Sequence, residues 1–218
     1  MIASMASQPR SPARMSATAR RDQLLDVTTQ LVADSGFHSV SIEAIARRAG
    51  ITRAVVYQHF SDLQALLEEV IQRESTRALA QVSETTLNDL TEGDPVELML
   101  ESLRAYLHAV LNHPLTWRLI LMPPEGAPEI LYRSIARGRQ ISRARLTNAL
   151  RPALAREREE PDADLTARLL STIADEYARL VLTDPSRFPP ERLLHHARWW
   201  LTHAWSSAGS ASRAVSNA

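Results

Sequence analysis

The stretch SIEAIARRAGITRAVVYQHF, Ser41 to Phe60, restricts the fold of this chain more than any other. Ser41 is a natural N-cap, and behind it Ile42, Ile45, Ala46 and Ala49 fall on one helical face before Gly50 supplies a C-terminal stop. Almost at once Thr52 can cap a second short helix, in which Val56 and Phe60, four residues apart, share the inner side. With so little chain between them the two helices must cross sharply, which is a helix-turn-helix. The second helix is rich in β-branched residues and is a poor helix former on its own, so it needs neighbours to hold it.

With Val56 and Phe60 turned inward, Arg53, Ala54, Tyr57, Gln58 and His59 face out. Those side chains suit a DNA major groove. Arg matches guanine O6 and N7, Gln matches adenine, Ala or Tyr meets a thymine methyl, and His and Thr reach phosphates. Around this unit, Leu24, Val27, Thr28, Leu31 and Val32 recur at helical spacing after a possible cap at Thr18, ending at Gly36. SDLQ, Ser61 to Gln64, has capping-box form and opens an amphipathic helix through Leu66, Leu67, Val70 and Ile71 to about Leu87.

The remaining sequence is helical between turn signals, with expected helices at 95–112, 114–122, 128–156, 162–183 and 190–206 and no period-two strand. The expectation is an all-α chain of about nine helices. Its divisions are an irregular tail at 1–17, a DNA-binding domain at 18–63, a ligand-binding and dimerisation domain at 64–206 and a C-terminal tail at 207–218.

Composition narrows the chemistry. There is no cysteine, so disulfides and thiol sites are excluded, and 25 basic residues balance 25 acidic ones. Every basic residue is Arg, and seven of them against four carboxylates make residues 1–60 mildly basic. No apolar run is long enough for a membrane span and the N-terminus lacks the apolar core of a secretory signal, so a soluble cytoplasmic protein is expected. Arg10 and Arg14 are either a minor-groove arm or part of a disordered tail.

The run Ser41, Ile45, Ala46, Ala49, Gly50, Thr52, Tyr57, His59 and Phe60, followed by Leu66 and Leu67, resembles the DNA-binding region of the TetR family of transcriptional regulators over about residues 18 to 67. The resemblance implies three DNA-binding helices, a connecting helix, and a larger helical domain for ligand and dimerisation. It assigns Ser41 and Thr52 as cap hydroxyls near phosphates, Tyr57 and His59 as backbone contacts, and Arg53, Ala54 and Gln58 as base-facing. Two positions depart from the pattern. Leu63 stands where the family usually has Lys, removing a phosphate contact, and Glu43 replaces a basic or polar residue. Glu43 either accepts from a cytosine N4 or stabilises a helix N-terminus.

In the C-terminal half, Leu193, Ala197, Trp200, Leu201 and Ala204 share one side of the last helix, widened by Trp199 and Trp205. The helix before it has a broad face of Leu165, Leu169, Leu170, Ile173, Tyr177, Leu180 and Val181. The resemblance implies that both helices meet their twins in a homodimer, through Leu169, Ile173, Leu180, Leu193, Ala197, Trp200, Leu201 and Ala204. Glu176 falls within the apolar stripe while Asp175 points away, so Glu176 would meet either a ligand or an Arg. Met99, Leu103, Tyr106, Trp117, Met122, Tyr132 and Tyr177 are candidates either for core or, with Glu176, for lining an apolar ligand pocket. MPPEGAP, 122–128, is a gate or a plain turn, and the Arg-rich run from Arg133 to Arg151 is an anion site, an RNA site or a solvated face.

His195 and His196 point about 100° apart and form no metal pair. No metal, cofactor or catalytic residue is expected, and no nucleophile elbow, P-loop or zinc-protease motif occurs. The sequence thus points to a ligand-responsive dimeric repressor on a palindromic operator, released by an apolar or aromatic small molecule. The alternatives are a helical sensor without DNA binding and a small all-helical enzyme.

Overall fold

The structure is a computed structural model that describes residues 15–86, 90–91, 93–156 and 161–214, with side chains followed to residue 203. Among these residues there are nine α-helices, one 3-10 turn and no strand: α1 (Ala17–Ser35), the 3-10 turn Phe37–Ser39, α2 (Ile42–Ala49), α3 (Arg53–Tyr57), α4 (Leu63–Thr85), α5 (Pro95–Asn112), α6 (Pro114–Leu121), α7 (Glu129–Leu154), α8 (Ala163–Thr183) and α9 (Pro190–Ala214). Pro95 and Pro114 open α5 and α6, where a missing N–H costs nothing.

Local chemistry sets most of the ends. Ser41 Oγ accepts from Ala44 N at 3.1 Å, and Gly50 sits in the left-handed region at φ 68°, closing α2 with Ile51 N on Ala46 O. Three caps differ from expectation. Ser16, not Thr18, caps α1 by accepting from Ala19 N, so the helix starts a residue earlier than the presumed cap. Asp62, not Ser61, caps α4 through Ala65 N at 2.8 Å, which lets Leu63 begin the helix while packing on the core. Thr52 occupies the N-cap of α3 but its side chain makes no capping bond. α9 continues to Ala214, through residues 207–214 that were expected as tail; their Ser- and Ala-rich composition does not break a helix. Residues 1–14, with Arg10 and Arg14, and the side chains of Ala204 and Trp205 lie outside the described part.

Two cores are stacked along α4. The first joins Leu24 and Val32 of α1, Ile45 of α2, Val56 of α3, Phe60, and Leu66, Val70 and Ile71 of α4, and takes in Leu119 of α6 with Leu131 and Ile135 of α7. The second begins at Ala78 of α4 and fills the space among α5, α6, α7, α8 and α9. The two halves therefore share one helix, with no linker between them, and a displacement of α4 displaces both.

The junction carries a buried carboxylate. Glu74 of α4 is almost wholly buried, with Arg73 Nε at 2.9 Å, Arg77 Nη1 at 3.0 Å and the Thr116 hydroxyl of α6 all on its oxygens. Arg73 also reaches Asp26 of α1 at 2.8 Å, so α1, α4 and α6 are tied at one point. The 122–128 turn docks here too and does not border the large cavity described below, contrary to its expectation as a gate. At Gly126 (φ 75°) any Cβ would collide with the His38 ring of the 3-10 turn. The turn before α7 thus lies directly against the segment that leads into α2.

Candidate DNA-binding face and ligand cavity

Val56 is fully buried and Phe60 nearly so, which fixes the opposite face of α3 outward. Ser41, Thr52, Arg53, Ala54, Tyr57 and Gln58 are exposed, Tyr57 by 55%, and His59 is half-buried. Because Ser41 Oγ only accepts from Ala44, its hydroxyl proton is left to donate. Arg53 pairs with Glu43 across the turn, Nη1 to Oε1 at 3.2 Å, which joins the first turns of α2 and α3. Leu63 is half-buried against the N-terminal core and presents no charge.

One residue that sequence reasoning did not single out holds this face in place. Arg21 of α1 stacks its guanidinium 4.2 Å from the Phe60 ring centre, donates to the His59 carbonyl, and binds Glu69 of α4 with Nε to Oε1 at 2.9 Å. It closes the exit of α3 onto α1 and α4 together. Its partners lie 38 and 48 residues away, and no local pattern signals them.

Within the second core is a cavity of about 640 Å³ bordered by helices α4 to α9, in the range of small-molecule sites. Met99, Leu103, Tyr106, Trp117 and Tyr177 border it, together with Val82, Ile120, Leu146, Ile173 and Trp200. Trp117 meets Tyr106 edge-on at 5.0 Å and donates to Gln81 Oε1 at 2.8 Å. Trp200 Nε1 donates to the Tyr177 hydroxyl at 3.2 Å, which in turn lies 2.7 Å from Nδ1 of His196. Burial pushes the Tyr177 hydroxyl above its ordinary range and so keeps its proton.

Three lining expectations fail. Met122 lies at the α1–α6 junction, Tyr132 points to solvent at 52% exposure, and Glu176 points out and pairs with Arg179 at 2.8 Å. Asp175 is the inward carboxylate. The apolar stripe that contains Glu176 is centred on Leu165 and Leu169, which are 53% and 57% exposed, so it faces away from the protomer's core. The core side of α8 is Ala167, Tyr177, Ala178, Val181 and Leu182. Asp175 accepts from the Tyr106 hydroxyl at 3.2 Å and faces Arg139 at 3.5 Å. Burial raises its carboxyl above the usual range against the pull of Arg139, and burial with the Asp175 charge raises Tyr106 well above its own.

The dimerisation candidates divide. Leu169 is exposed and Ile173 and Leu180 are half-buried, while Leu193, Ala197 and Leu201 are inside the protomer's own core and Trp200 borders the cavity. The arc of α9 is wide because α5 covers one side of it; the other side shows Trp199, 59% exposed and stacked between His196 and His203.

Residues 24–70 match the sequence profile of bacterial regulatory proteins of the tetR family, the span that holds α2, the turn, α3 and the first part of α4. Over this span the chain is similar to the TetR family of regulators. It is 27% identical over 156 residues to the HTH-type transcriptional regulator BetI of Cronobacter sakazakii, covering 72% of this chain and 76% of that protein. It is 43% identical over 54 residues to the transcriptional activator FasR of Mycolicibacterium smegmatis, an alignment that covers 25% of each chain. In structure it is similar to a TetR-like regulator from Rhodococcus sp. RHA1 (TM-score 0.62, 23% identity, 90% of this chain and 99% of that one). It is also similar to SmeT in complex with triclosan (TM-score 0.65, 23% identity, 85% and 91%). The relatives it resembles are transcriptional regulators of the helix-turn-helix type. No helix among the described residues is long and apolar enough to cross a membrane.

Proposed function

We propose that this protein is a cytoplasmic homodimeric repressor that grips a palindromic operator and lets it go when an apolar or aromatic small molecule fills the cavity. The observation that carries the reading is α4: its first half lies in the core that supports α3, and its second half borders the cavity. In DNA, α3 lies in the major groove with Arg53, Ala54 and Gln58 toward base edges, while Ser41, Thr52, Tyr57 and His59 meet the backbone. Leu165, Leu169 and Trp199 form the outward apolar surface through which α8 and α9 meet their twins. Twofold symmetry then sets the two α3 helices about 34–36 Å apart, one DNA turn.

An effector between α5, α7 and α8 that favours a shifted α4 changes that separation, and a coupling of about 1–3 kcal/mol lowers affinity five- to 150-fold. The tie at Glu74 and the contact of Gly126 with His38 are the routes by which α6 and the following turn move with it. SmeT, a protein of the same fold, is known in complex with triclosan, which is consistent with a small-molecule site in this half.

The test is binding of the purified protein to the intergenic DNA upstream of its own gene at several salt concentrations. The expected result is affinity for one palindromic segment that falls steeply with salt, because phosphate contacts release counterions. Absence of a preferred palindrome there and in a genome-wide selection of bound fragments leaves the sensor without DNA binding as the reading.

A further inference from the structure

The charges around the cavity are not balanced. Arg139, Arg143, Arg168 and Arg179 border it, against Asp175 as the one carboxylate in the lining. Arg179 is held by Glu176 and by the Leu121 carbonyl, and Arg139 faces Asp175. Arg143 makes only a 3.4 Å bond to the Arg139 carbonyl on its own helix. Neither Arg143 nor Arg168 has a carboxylate partner among the described residues.

The pairing of Arg139 with Asp175 fixes how α7 and α8 lie against each other. The two helices run in opposite directions, so one turn along α7, about 5.4 Å, brings Arg143 toward Ser171, and Arg168 follows on the same edge of α8. Ser142, Ser171 and Thr172 border the cavity along that edge as well. Arg139, Thr172 and Arg168 are exposed, so this edge is the mouth, while Met99, Leu103, Trp117 and Leu121 form the apolar interior. The interior carboxylate already accepts a hydroxyl and faces a guanidinium, so a cationic ligand finds no unpaired counter-charge.

We propose that the ligand is an amphipathic anion: an apolar body in the interior, and a carboxylate or phosphate head held by Arg143 and Arg168 at the α7–α8 mouth, with the Ser142 hydroxyl beside it. The inference rests on the cavity being the effector site and narrows its occupant. Guanidinium groups suit such heads because they donate two parallel hydrogen bonds to paired oxygens. It also gives part of the Arg-rich α7 a task that a solvated face does not: Arg133, Arg137, Arg145 and Arg151 are exposed away from the cavity lining, whereas Arg139 and Arg143 belong to it.

The test compares decanoate, decyl phosphate, decanol and decyltrimethylammonium, all below their micelle concentrations, on the full-length protein, by calorimetry and by the fluorescence of Trp117 and Trp200. One of the two anions is expected to bind saturably and at least about tenfold tighter than both the alcohol and the cation, the scale of a charge-assisted hydrogen bond. Which anion wins tells a carboxylate head from a phosphate head. In Arg143→Gln and Arg168→Gln that preference shrinks toward unity while decanol affinity stays the same, a pattern that loss of folding cannot give. Equal binding of all four, preference for the cation, or no saturable binding by any of them overturns the proposal. DNA release is scored separately: an anion that binds with this preference and leaves the operator complex intact removes the effector reading and leaves the anion site.

Discussion

The two halves of this molecule put their working residues on opposite sides of their packing. In the N-terminal half the side chains proposed for DNA are those left outside the core: Val56 is buried, and the next residue, Tyr57, is among the exposed large hydrophobic side chains described. In the C-terminal half the cavity is part of the core, and the same helical faces carry both lining and packing. Tyr106 and Trp117 border the cavity and are also buried core residues. Function in the first half is read as the complement of burial; in the second it is a subset of burial.

The most damaging single change lies where the halves meet. Glu74→Ala leaves Arg73, only 14% exposed, without its buried partner and also strips Thr116 and Arg77 of theirs. Breaking a buried pair by removing one member costs about 3–5 kcal/mol. Urea unfolding is the measurement, and a loss below about 1 kcal/mol would show that the junction is not tied through this carboxylate. Since α1, α4 and α6 all meet there, DNA affinity measured on the folded fraction should fall as well.

Two adjacent residues sharpen the contrast within one helix. Val56→Ala removes buried methyls and is expected to cost about 2 kcal/mol of stability, with DNA affinity lost only as far as folding is. Tyr57→Ala should leave stability within about 0.5 kcal/mol and weaken operator binding roughly tenfold, the scale of one hydrogen bond to a charged group. Equal effects of both on unfolding would mean that α3 does not present the face described.

This asymmetry also explains what the sequence made legible. The order and nearly all the bounds of the helices followed from apolar spacing, proline and Gly50, because those are local rules. The choice between Asp175 and Glu176 did not. Periodicity located the apolar stripe of α8 correctly, but two stripes exist on that helix, one toward the core and one toward solvent, and a pattern of Leu165 and Leu169 does not say which is which. Burial of Leu193, Ala197 and Leu201 within the protomer, and the clasp by Arg21, depend on contacts between elements distant in sequence. Those are settled by packing, and one-dimensional spacing carries no trace of them.

The cavity half has its own discriminating variant. Leu103→Trp places a large ring in the space beside Trp117 and Tyr106, and because the site is a void it should be accepted at a cost of about 1 kcal/mol or less. Ligand affinity, measured with whichever decyl compound binds, should fall at least about tenfold while operator affinity stays within about twofold. A matching loss of DNA affinity would show that filling the cavity itself shifts α4, and that the rings already act as part of the switch.

The smallest effect expected is at the surface of the same half, where Glu97 of α5 and Arg198 of α9 form a bidentate pair, one arm of it at 2.8 Å. Hydrogen bonding to Arg198 holds the Glu97 carboxyl below its ordinary range, and hydrogen bonding to Glu97 raises Arg198. A carboxyl with a depressed folded value contributes stability that is present above its unfolded pKa and is lost as pH falls through the folded one. Glu97→Gln should therefore lower the melting temperature slightly at neutral pH and low salt, and the gap between variant and parent should close in acid. Both side chains are about half exposed, so added salt should shrink the same gap at neutral pH. The junction carboxylate at Glu74 is shielded from water and its variant should show no comparable salt dependence, because screening acts on charges that solvent can reach. A salt-independent deficit in Glu97→Gln would instead indicate that the side chain acts through packing of α5 on α9, with its charge incidental.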